Sequence, residues 1–179
     1  MQVCDISSRT LAAGDRGTHR DCVHHVTTRS IAEERIFKDG GDFTTGVTLL
    51  GGLVKAGLLL CHAFCFMPTH YHVLGTFDDV TKFVHKLNRR YAVAYNRRYR
   101  RRGHVFDSPP SVTPVESDRH LRNALRYIAL NPSGHEDWAY SSYPGLVGVR
   151  QPFSFVDTRP IVEMVGSGEA IREFVAKDL

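Results

Sequence analysis

The segment Gly46–Met67 most strongly limits what this chain can fold into, because it is apolar enough to resemble a membrane span. Lys55 lies near its middle, and a central lysine costs about 2.5–3.5 kcal/mol on membrane-insertion scales. Gly57 then interrupts the apolar run. The pattern therefore predicts a helix over residues 42–56, with Asp42 as its N-cap, and then a buried strand over residues 58–66. No membrane contact is expected.

The rest of the chain continues this alternation of helices and strands. Period-2 alternation of apolar residues indicates strands, and apolar residues at helical spacing indicate long helices. The order β-α-β-β-α-β-α is a split β-α-β arrangement, which favours an α+β, ferredoxin-like fold with an antiparallel sheet and helices on one face. The predicted strands cover residues 22–29, 58–66, 70–77 and 111–115, and the predicted helices cover residues 42–56, 78–101 and 116–130.

The 179 residues suit one domain with short additions at both ends. We expect a loose leader at 1–20, the domain at 21–146 and a C-terminal extension at 147–179. The leader lacks the apolar core of a signal peptide, which favours a cytoplasmic protein. Cys61 and Cys65 lie four residues apart on a predicted strand, so we expect them to share one face and to pack in the core.

Positive charge is concentrated in one predicted helix. The chain carries 23 Lys and Arg residues and 19 Asp and Glu residues, but the stretch from Lys82 to Arg102 contains nine basic residues and no acidic one. Such asymmetry is typical of a protein with a polyanionic partner. Arginines alternate there with Tyr91, Tyr95 and Tyr99, a pattern that suits phosphate binding and base stacking. The alternative is a solvated helix face with inward-packed tyrosines. The candidate nucleic-acid-binding residues are Arg89, Arg90, Arg97, Arg98, Arg101 and Arg102.

Two histidines, His70 and His72, lie on the predicted third strand. Residues i and i+2 of a strand point to the same face, so the two imidazoles lie side by side. Such a pair can bind a divalent cation and leave coordination positions open. In a chain with ten histidines the pair can also be incidental. His24, His25 and His104 could reach the same place, but the sequence gives no geometry for them.

Tyr127 and Asn131 are four residues apart near the end of the last long helix, so both lie on one face. One interpretation is that Tyr127 packs and Asn131 ends the helix before Pro132. The other makes Asn131 an oxygen ligand of a metal and places the Tyr127 hydroxyl beside it. A phenol has a pKa near 10 and becomes a useful nucleophile only where a base or positive charge favours its anion.

The stretch MPTHYHVL at residues 67–74 resembles the "MPNHYHLL" signature of HUH single-tyrosine transposases, and more narrowly of REP-associated tyrosine transposases. Further similar motifs follow in the family's order, and the resemblance covers about residues 22–145. They are YNRR at 95–98, GHVF at 103–106, Asp118, RYIALNP at 126–132 and WAYSSY at 138–143.

This resemblance implies an HUH endonuclease-like fold and a specific chemistry. His70 and His72 would bind a divalent metal ion, Mg²⁺ or Mn²⁺, with Asn131 as third ligand and Tyr127 as nucleophile. The implied reaction is the nicking and rejoining of single-stranded DNA through a 5′-phosphotyrosine, on substrates with hairpins or palindromic repeats. It also implies a bacterial, nucleoid-associated protein, for which we expect a monomer.

One segment departs from the family pattern. Residues 107–114, DSPPSVTP, contain no cation where relatives usually carry a basic, aromatic piece. This departure supports a second hypothesis, a domesticated and catalytically inactive DNA-hairpin-binding protein. A third hypothesis, a metal-dependent hydrolase of small phosphoesters, is disfavoured by the basic helix.

Overall fold

The fold is built on a four-stranded sheet, seen in a computed structural model that describes residues 22–107 and 109–177. The strands are β1 (Val23–Arg29), β2 (Leu59–Phe66), β3 (His70–Phe77) and β4 (Ser111–Pro114), in the order β2-β3-β1-β4. All neighbouring pairs are antiparallel. The predicted leader at 1–20 lies outside the described residues.

Three long helices and three short ones accompany the sheet in the described chain. The order of elements up to the third helix is β-α-β-β-α-β-α, which confirms the predicted α+β fold. A single turn of 3-10 helix at Ile31–Glu33 follows β1. The helices are α1 (Gly40–Lys55), α2 (Val80–Arg98), α3 (Asp118–Leu130), α4 (Tyr143–Leu146), α5 (Arg159–Val165) and α6 (Gly168–Ala176).

The helices begin at side-chain caps. Asp79 and Ser117 accept hydrogen bonds from the first-turn N–H groups of α2 and α3. The predicted cap Asp42 is wrong, because Asp39 accepts the N–H bonds of Gly41 and Asp42 at the start of α1. Asp42 lies inside the first turn instead and is buried there.

Both faces of the sheet are covered. α1 and α2 pack on one face, against residues such as Phe64 and Val73, and α3 packs on the other, against residues such as Cys65 and Leu74. The predicted placement of helices on one face is therefore correct for α1 and α2 and wrong for α3. The reason is visible in β2 and β3, which are buried almost continuously rather than at alternate positions, as in strands between two layers.

A β-bulge in β2 changes which face its residues occupy. The pairing with β3 shifts between Cys61 and Ala63, so two residues of β2 oppose one residue of β3. Cys61 consequently packs beneath α1 and α2, whereas Cys65 packs beneath α3, and both thiols are buried and free. The prediction that both cysteines pack in the core is confirmed, and the prediction of a shared face is wrong.

The segment after residue 147 completes the core. Ile161, Ile171 and Val175 are fully buried together with residues of α3. Phe153 and Phe155 pack against Phe64 on the opposite face. Ile171 and Val175 both lie on α6. Among the described helices, none has the length and apolar character needed to cross a membrane.

Candidate active site

β3 places His70 and His72 on the sheet face that α3 covers. Their rings lie 4.9 Å apart between centroids and nearly perpendicular, at 88°. His72 is buried, with 1% of its surface exposed, whereas His70 is half-buried. Leu74, the next residue on this face, packs in the core formed with α3. The strand alternation therefore brings both imidazoles to one side, as predicted.

α3 brings Tyr127 and Asn131 to the same place. The Asn131 Oδ1 atom lies 3.1 Å from His70 Nε2. The Tyr127 ring meets the His72 ring edge-on, with centroids 5.3 Å apart at 88°. Tyr127 is half exposed, which is unusual for so large an aromatic side chain beside a core. The four residues singled out in the sequence thus form one cluster between β3 and α3.

The donor atoms of this cluster suit a divalent cation. His72 Nε2 is buried and has no hydrogen-bond partner among the described residues. The 3.1 Å between His70 Nε2 and Asn131 Oδ1 matches the separation of about 3 Å between neighbouring ligands around an octahedral ion bound at about 2.1 Å. Three or more His, Cys, Asp or Glu side chains do not meet in metal-binding geometry anywhere in the described ranges. The Asn131 oxygen is therefore the natural third donor.

Burial keeps the site histidines neutral. Burial, reinforced by the neighbouring His25 and His70, lowers the pKa of His72 to about 2. Burial also lowers the pKa of His25 to about 4, with a smaller contribution from His120. The pKa of His70 is lowered by burial as well. All three rings are consequently uncharged at neutral pH, which is the form of imidazole that binds metal ions.

Three further residues contact the two histidines, and of these only His25 was named from the sequence, without a geometry. Thr27 Oγ1 and His25 Nε2 lie 2.9 Å and 3.1 Å from His72 Nδ1. Thr69 Oγ1 lies 3.0 Å from His70 Nδ1. Alternation along β1 could have placed His25 and Thr27 on one face. That Thr27 lies directly opposite His72 depends on the register of β1 with β3, which the sequence does not reveal.

The arginine-rich helix α2 lies on the opposite face of the sheet from His70 and His72. Tyr91 and Tyr95 are buried in the core, and the Tyr91 hydroxyl donates to the Ile36 carbonyl. The alternative of inward-packed tyrosines is therefore the correct one for Tyr91 and Tyr95. These two rings are not available for base stacking.

Two of the six candidate DNA-binding arginines are bound by carboxylates of the same chain. Arg98 contacts Asp39 at 2.6 Å and Asp42 at 2.7 Å. Arg101 contacts Glu34 at 3.0 Å. The remaining four are exposed and form no ion pair within the described part of the chain, which leaves them open to a partner. They are Arg89, Arg90, Arg97 and Arg102.

Comparison with known proteins supports the fold. The sequence matches no protein-family model and no curated protein. The structure is similar to a solved structure of a REP-associated tyrosine transposase bound to a REP hairpin, with a TM-score of 0.63 and 15% sequence identity. The similarity covers 83% of this chain and 93% of that chain. The chain therefore has the fold of a REP-associated tyrosine transposase, as the sequence resemblance predicted.

Proposed function

We propose that this protein nicks and rejoins single-stranded DNA with Tyr127 as nucleophile and a divalent metal ion as cofactor. The observation that carries the proposal is the cluster in which Asn131 Oδ1 lies 3.1 Å from His70 Nε2 while Tyr127 lies edge-on to His72. A set of two imidazoles and one amide oxygen leaves coordination positions open for substrate oxygens.

In this proposal His70, His72 and Asn131 hold Mg²⁺ or Mn²⁺. The bound ion would polarise the scissile phosphate and stabilise the charge that develops on it. The protein itself supplies uncharged histidine ligands and the placement of the nucleophile. Burial keeps the imidazoles uncharged, and α3 carries Asn131 and Tyr127 one turn apart, so that ligand and nucleophile face the same phosphate.

The half-exposed Tyr127 acts on the phosphate from the solvent side of the cluster. Its hydroxyl oxygen forms a bond to phosphorus, and the bond from phosphorus to the 3′ oxygen breaks. The phenol proton passes to solvent and the leaving oxygen takes up a proton, so the products are a 5′-phosphotyrosine and a 3′-hydroxyl. Attack by another 3′-hydroxyl reverses the step and rejoins the strand, which requires no external energy source.

The proposed substrate is single-stranded DNA that carries a hairpin. The transposase with a similar fold was solved bound to a REP hairpin. Exposed arginines of α2, such as Arg89, Arg90 and Arg97, offer a cationic surface to phosphates. Because this surface and Tyr127 lie on opposite faces of the sheet, a substrate that contacts both must reach around the sheet.

The test is formation of a covalent adduct. The protein is incubated with labelled hairpin oligonucleotides from its own genomic flanks and Mn²⁺ or Mg²⁺, then run on a denaturing gel. We expect a slowly migrating adduct that disappears with EDTA and in Tyr127→Phe. Tyr140→Phe is the matched control, because the Tyr140 ring stacks on Phe43 in the core on the other face of the sheet. An adduct that persists in Tyr127→Phe would overturn the assignment of the nucleophile.

A second candidate function is a hairpin-binding protein that no longer cuts DNA. The placement of exposed arginines away from Tyr127 favours it, since such a surface can bind DNA without the site. Residues 107–114 also lack any cation. This candidate predicts a salt-sensitive shift on a native gel that neither EDTA nor Tyr127→Phe changes, together with no adduct.

The proposal places the protein as a monomer on the nucleoid of a bacterial cell, in its cytoplasm. A single chain already carries all four residues of the cluster, which is why no second copy is required. Light scattering after size-exclusion chromatography, with and without hairpin DNA, tests the monomeric state.

A further inference from the structure

The two site histidines share a feature that the proposed reaction does not by itself explain. In each ring the Nδ1 atom is within hydrogen-bond distance of a threonine hydroxyl, Thr69 for His70 and Thr27 for His72. His72 Nδ1 is also 3.1 Å from His25 Nε2. The Nε2 atoms differ in their surroundings, since one faces Asn131 and the other is buried without a partner.

The tautomer of each ring decides whether it can bind a cation. A neutral imidazole carries its proton on one nitrogen and a lone pair on the other. With the proton on Nε2, His72 would bury an N–H donor that has no acceptor, and it could offer no lone pair there. With the proton on Nδ1, that N–H donates to Thr27 or His25, and Nε2 is free to act as a ligand.

We propose that Thr27 and His25 are positioning residues for His72, which hold its ring in the tautomer and orientation that leaves Nε2 free for a cation. His70 differs, because its Nε2–H donates to Asn131 Oδ1 in the metal-free protein. This inference rests on the proposed function, because it concerns the same metal site. Metal-bound histidines commonly donate their other N–H to such a partner, which fixes the ring.

The geometry of the strands explains why these residues meet. Thr27 lies directly across from His72 in the pairing of β1 with β3, and His25 is two residues away on the same face of β1. Both partners are therefore held by the sheet rather than by a loop. Thr69 immediately precedes His70, at the point where the chain enters β3.

The neighbouring Thr28 provides a matched control. It is buried on the same strand, but its hydroxyl donates to Tyr71 on the opposite face of the sheet. Thr28→Val therefore removes a buried threonine hydrogen bond of β1 without touching the histidines. A purely structural role for Thr27 predicts that Thr27→Val and Thr28→Val have similar effects on every measurement.

The first measurement is the tautomer of each ring, read from long-range ¹H–¹⁵N NMR spectra of the metal-free protein at neutral pH. We expect His72 to carry the proton on Nδ1, and His70, whose Nε2–H donates to Asn131 Oδ1, to carry it on Nε2. We expect this preference to be lost for His72 in the double variant Thr27→Val/His25→Phe and retained in Thr28→Val. A proton on Nε2 of His72 in the unaltered protein would overturn the inference.

The second measurement is Mn²⁺ affinity, determined by electron paramagnetic resonance of the free ion. The double variant should bind Mn²⁺ roughly tenfold to a hundredfold more weakly. Thr27→Ser keeps the hydroxyl and should match the unaltered protein, as should Thr28→Val. Equal affinity of the double variant and the unaltered protein contradicts the inference. If the unaltered protein binds no Mn²⁺, the proposed function fails, and the tautomers alone then decide whether these residues position the rings.

Discussion

The polar groups on the two faces of the sheet differ in their hydrogen bonding. Under α1 and α2, Arg98 and the Tyr99 hydroxyl meet the buried Asp42 carboxylate. Under α3, the buried His72 Nε2 atom has no partner among the described residues, and Tyr127 is half exposed beside it. The Tyr95 hydroxyl under α1 and α2 is also buried without a hydrogen-bond partner in the described chain, but His72 Nε2 lies beside the donor atoms of His70 and Asn131. A buried polar atom without a hydrogen bond costs stability, and among such donors it points to a ligand. The Asp42 contacts under α1 and α2 stabilise the fold, whereas the polar side chains under α3 form the proposed metal site.

The strongest test of this contrast is the substitution His72→Phe. It keeps an aromatic ring but removes both nitrogens, so we expect the covalent adduct to be lost, by roughly a hundredfold or more. The free energy of unfolding should change by only about 1 kcal/mol, because the unpaired nitrogen is removed as well. Urea unfolding and the adduct gel measure the two effects. A large loss of stability would show that His72 serves the fold.

The opposite result is expected for Asp42→Ala on the other face. Asp42 is 3% exposed and accepts from Arg98, Tyr99 and the Lys38 N–H group. Removing the carboxylate leaves the Tyr99 hydroxyl and the Lys38 N–H without their acceptor, and Arg98 with Asp39 alone, so we expect a loss of roughly 2–4 kcal/mol in unfolding free energy. Mn²⁺ affinity should be unchanged where the variant is folded. Urea unfolding at neutral pH checks the first expectation, and unaltered stability would contradict it.

Lowering the pH should reduce the free energy of unfolding of the metal-free protein, because His25, beside the site under α3, is buried in its neutral form. Unfolded histidine has a pKa near 6.5, whereas His25 has a pKa of about 4 in the fold. Between these values the unfolded chain binds more protons, so stability falls as the pH falls and is unaffected above pH 6.5. Lowering the pH from 6.5 to 5.5 should cost about 1 kcal/mol for this ring.

The ion pair between Arg98 and Asp39, at the start of α1, affects stability only at lower pH. The Arg98 guanidinium holds the pKa of Asp39 below its usual value, so its ion pair is lost only as the pH falls through that lowered pKa. Urea midpoints measured with EDTA from pH 7.5 down to pH 2 test both windows. His25→Gln should reduce the slope between pH 5 and 6.5 by the share of this ring, because the lowered pKa values of His70 and His72 leave their contributions in place. An unchanged slope in that variant would argue against a contribution from His25.

The smallest expected effect separates two adjacent arginines. Arg97 is exposed and forms no ion pair within the described ranges, whereas Arg98 is bound by Asp39 and Asp42. Arg97→Gln should weaken hairpin binding severalfold and reduce the slope of log affinity against log salt by about 0.7–0.9, the value for one phosphate contact. Stability should hardly change. Arg98→Gln should instead reduce stability. Gel shifts across a salt series and urea unfolding compare the pair.

Local patterns predicted much of the fold. The strand His70–Phe77 was bounded correctly because apolar residues recur at Tyr71, Val73 and Phe77 and Pro68 precedes it. The side on which α3 packs was missed, since β2 and β3 are buried on both faces and their sequence does not indicate which helix covers which face. The bulge at Cys61 was missed because a local shift in pairing has no sequence period.

Local patterns in the sequence also predicted part of the candidate site and missed the rest. His70 and His72 follow from strand alternation, and Tyr127 and Asn131 follow from helical spacing, so each pair could be predicted. That the two pairs meet was indicated only by the family resemblance. The role of Thr27 depends on the register of β1 with β3, and the ion pairs of Arg98 depend on the distant Asp39 and Asp42. Contacts between distant segments leave no local signal.

The most direct test of the account is to locate Mn²⁺ in crystals of the protein by anomalous diffraction. We predict one ion about 2.0–2.3 Å from His70 Nε2, His72 Nε2 and Asn131 Oδ1, on the side that Tyr127 faces. An ion bound elsewhere, or no ion at millimolar Mn²⁺, would contradict the claim that this face of the sheet is built for metal-dependent chemistry.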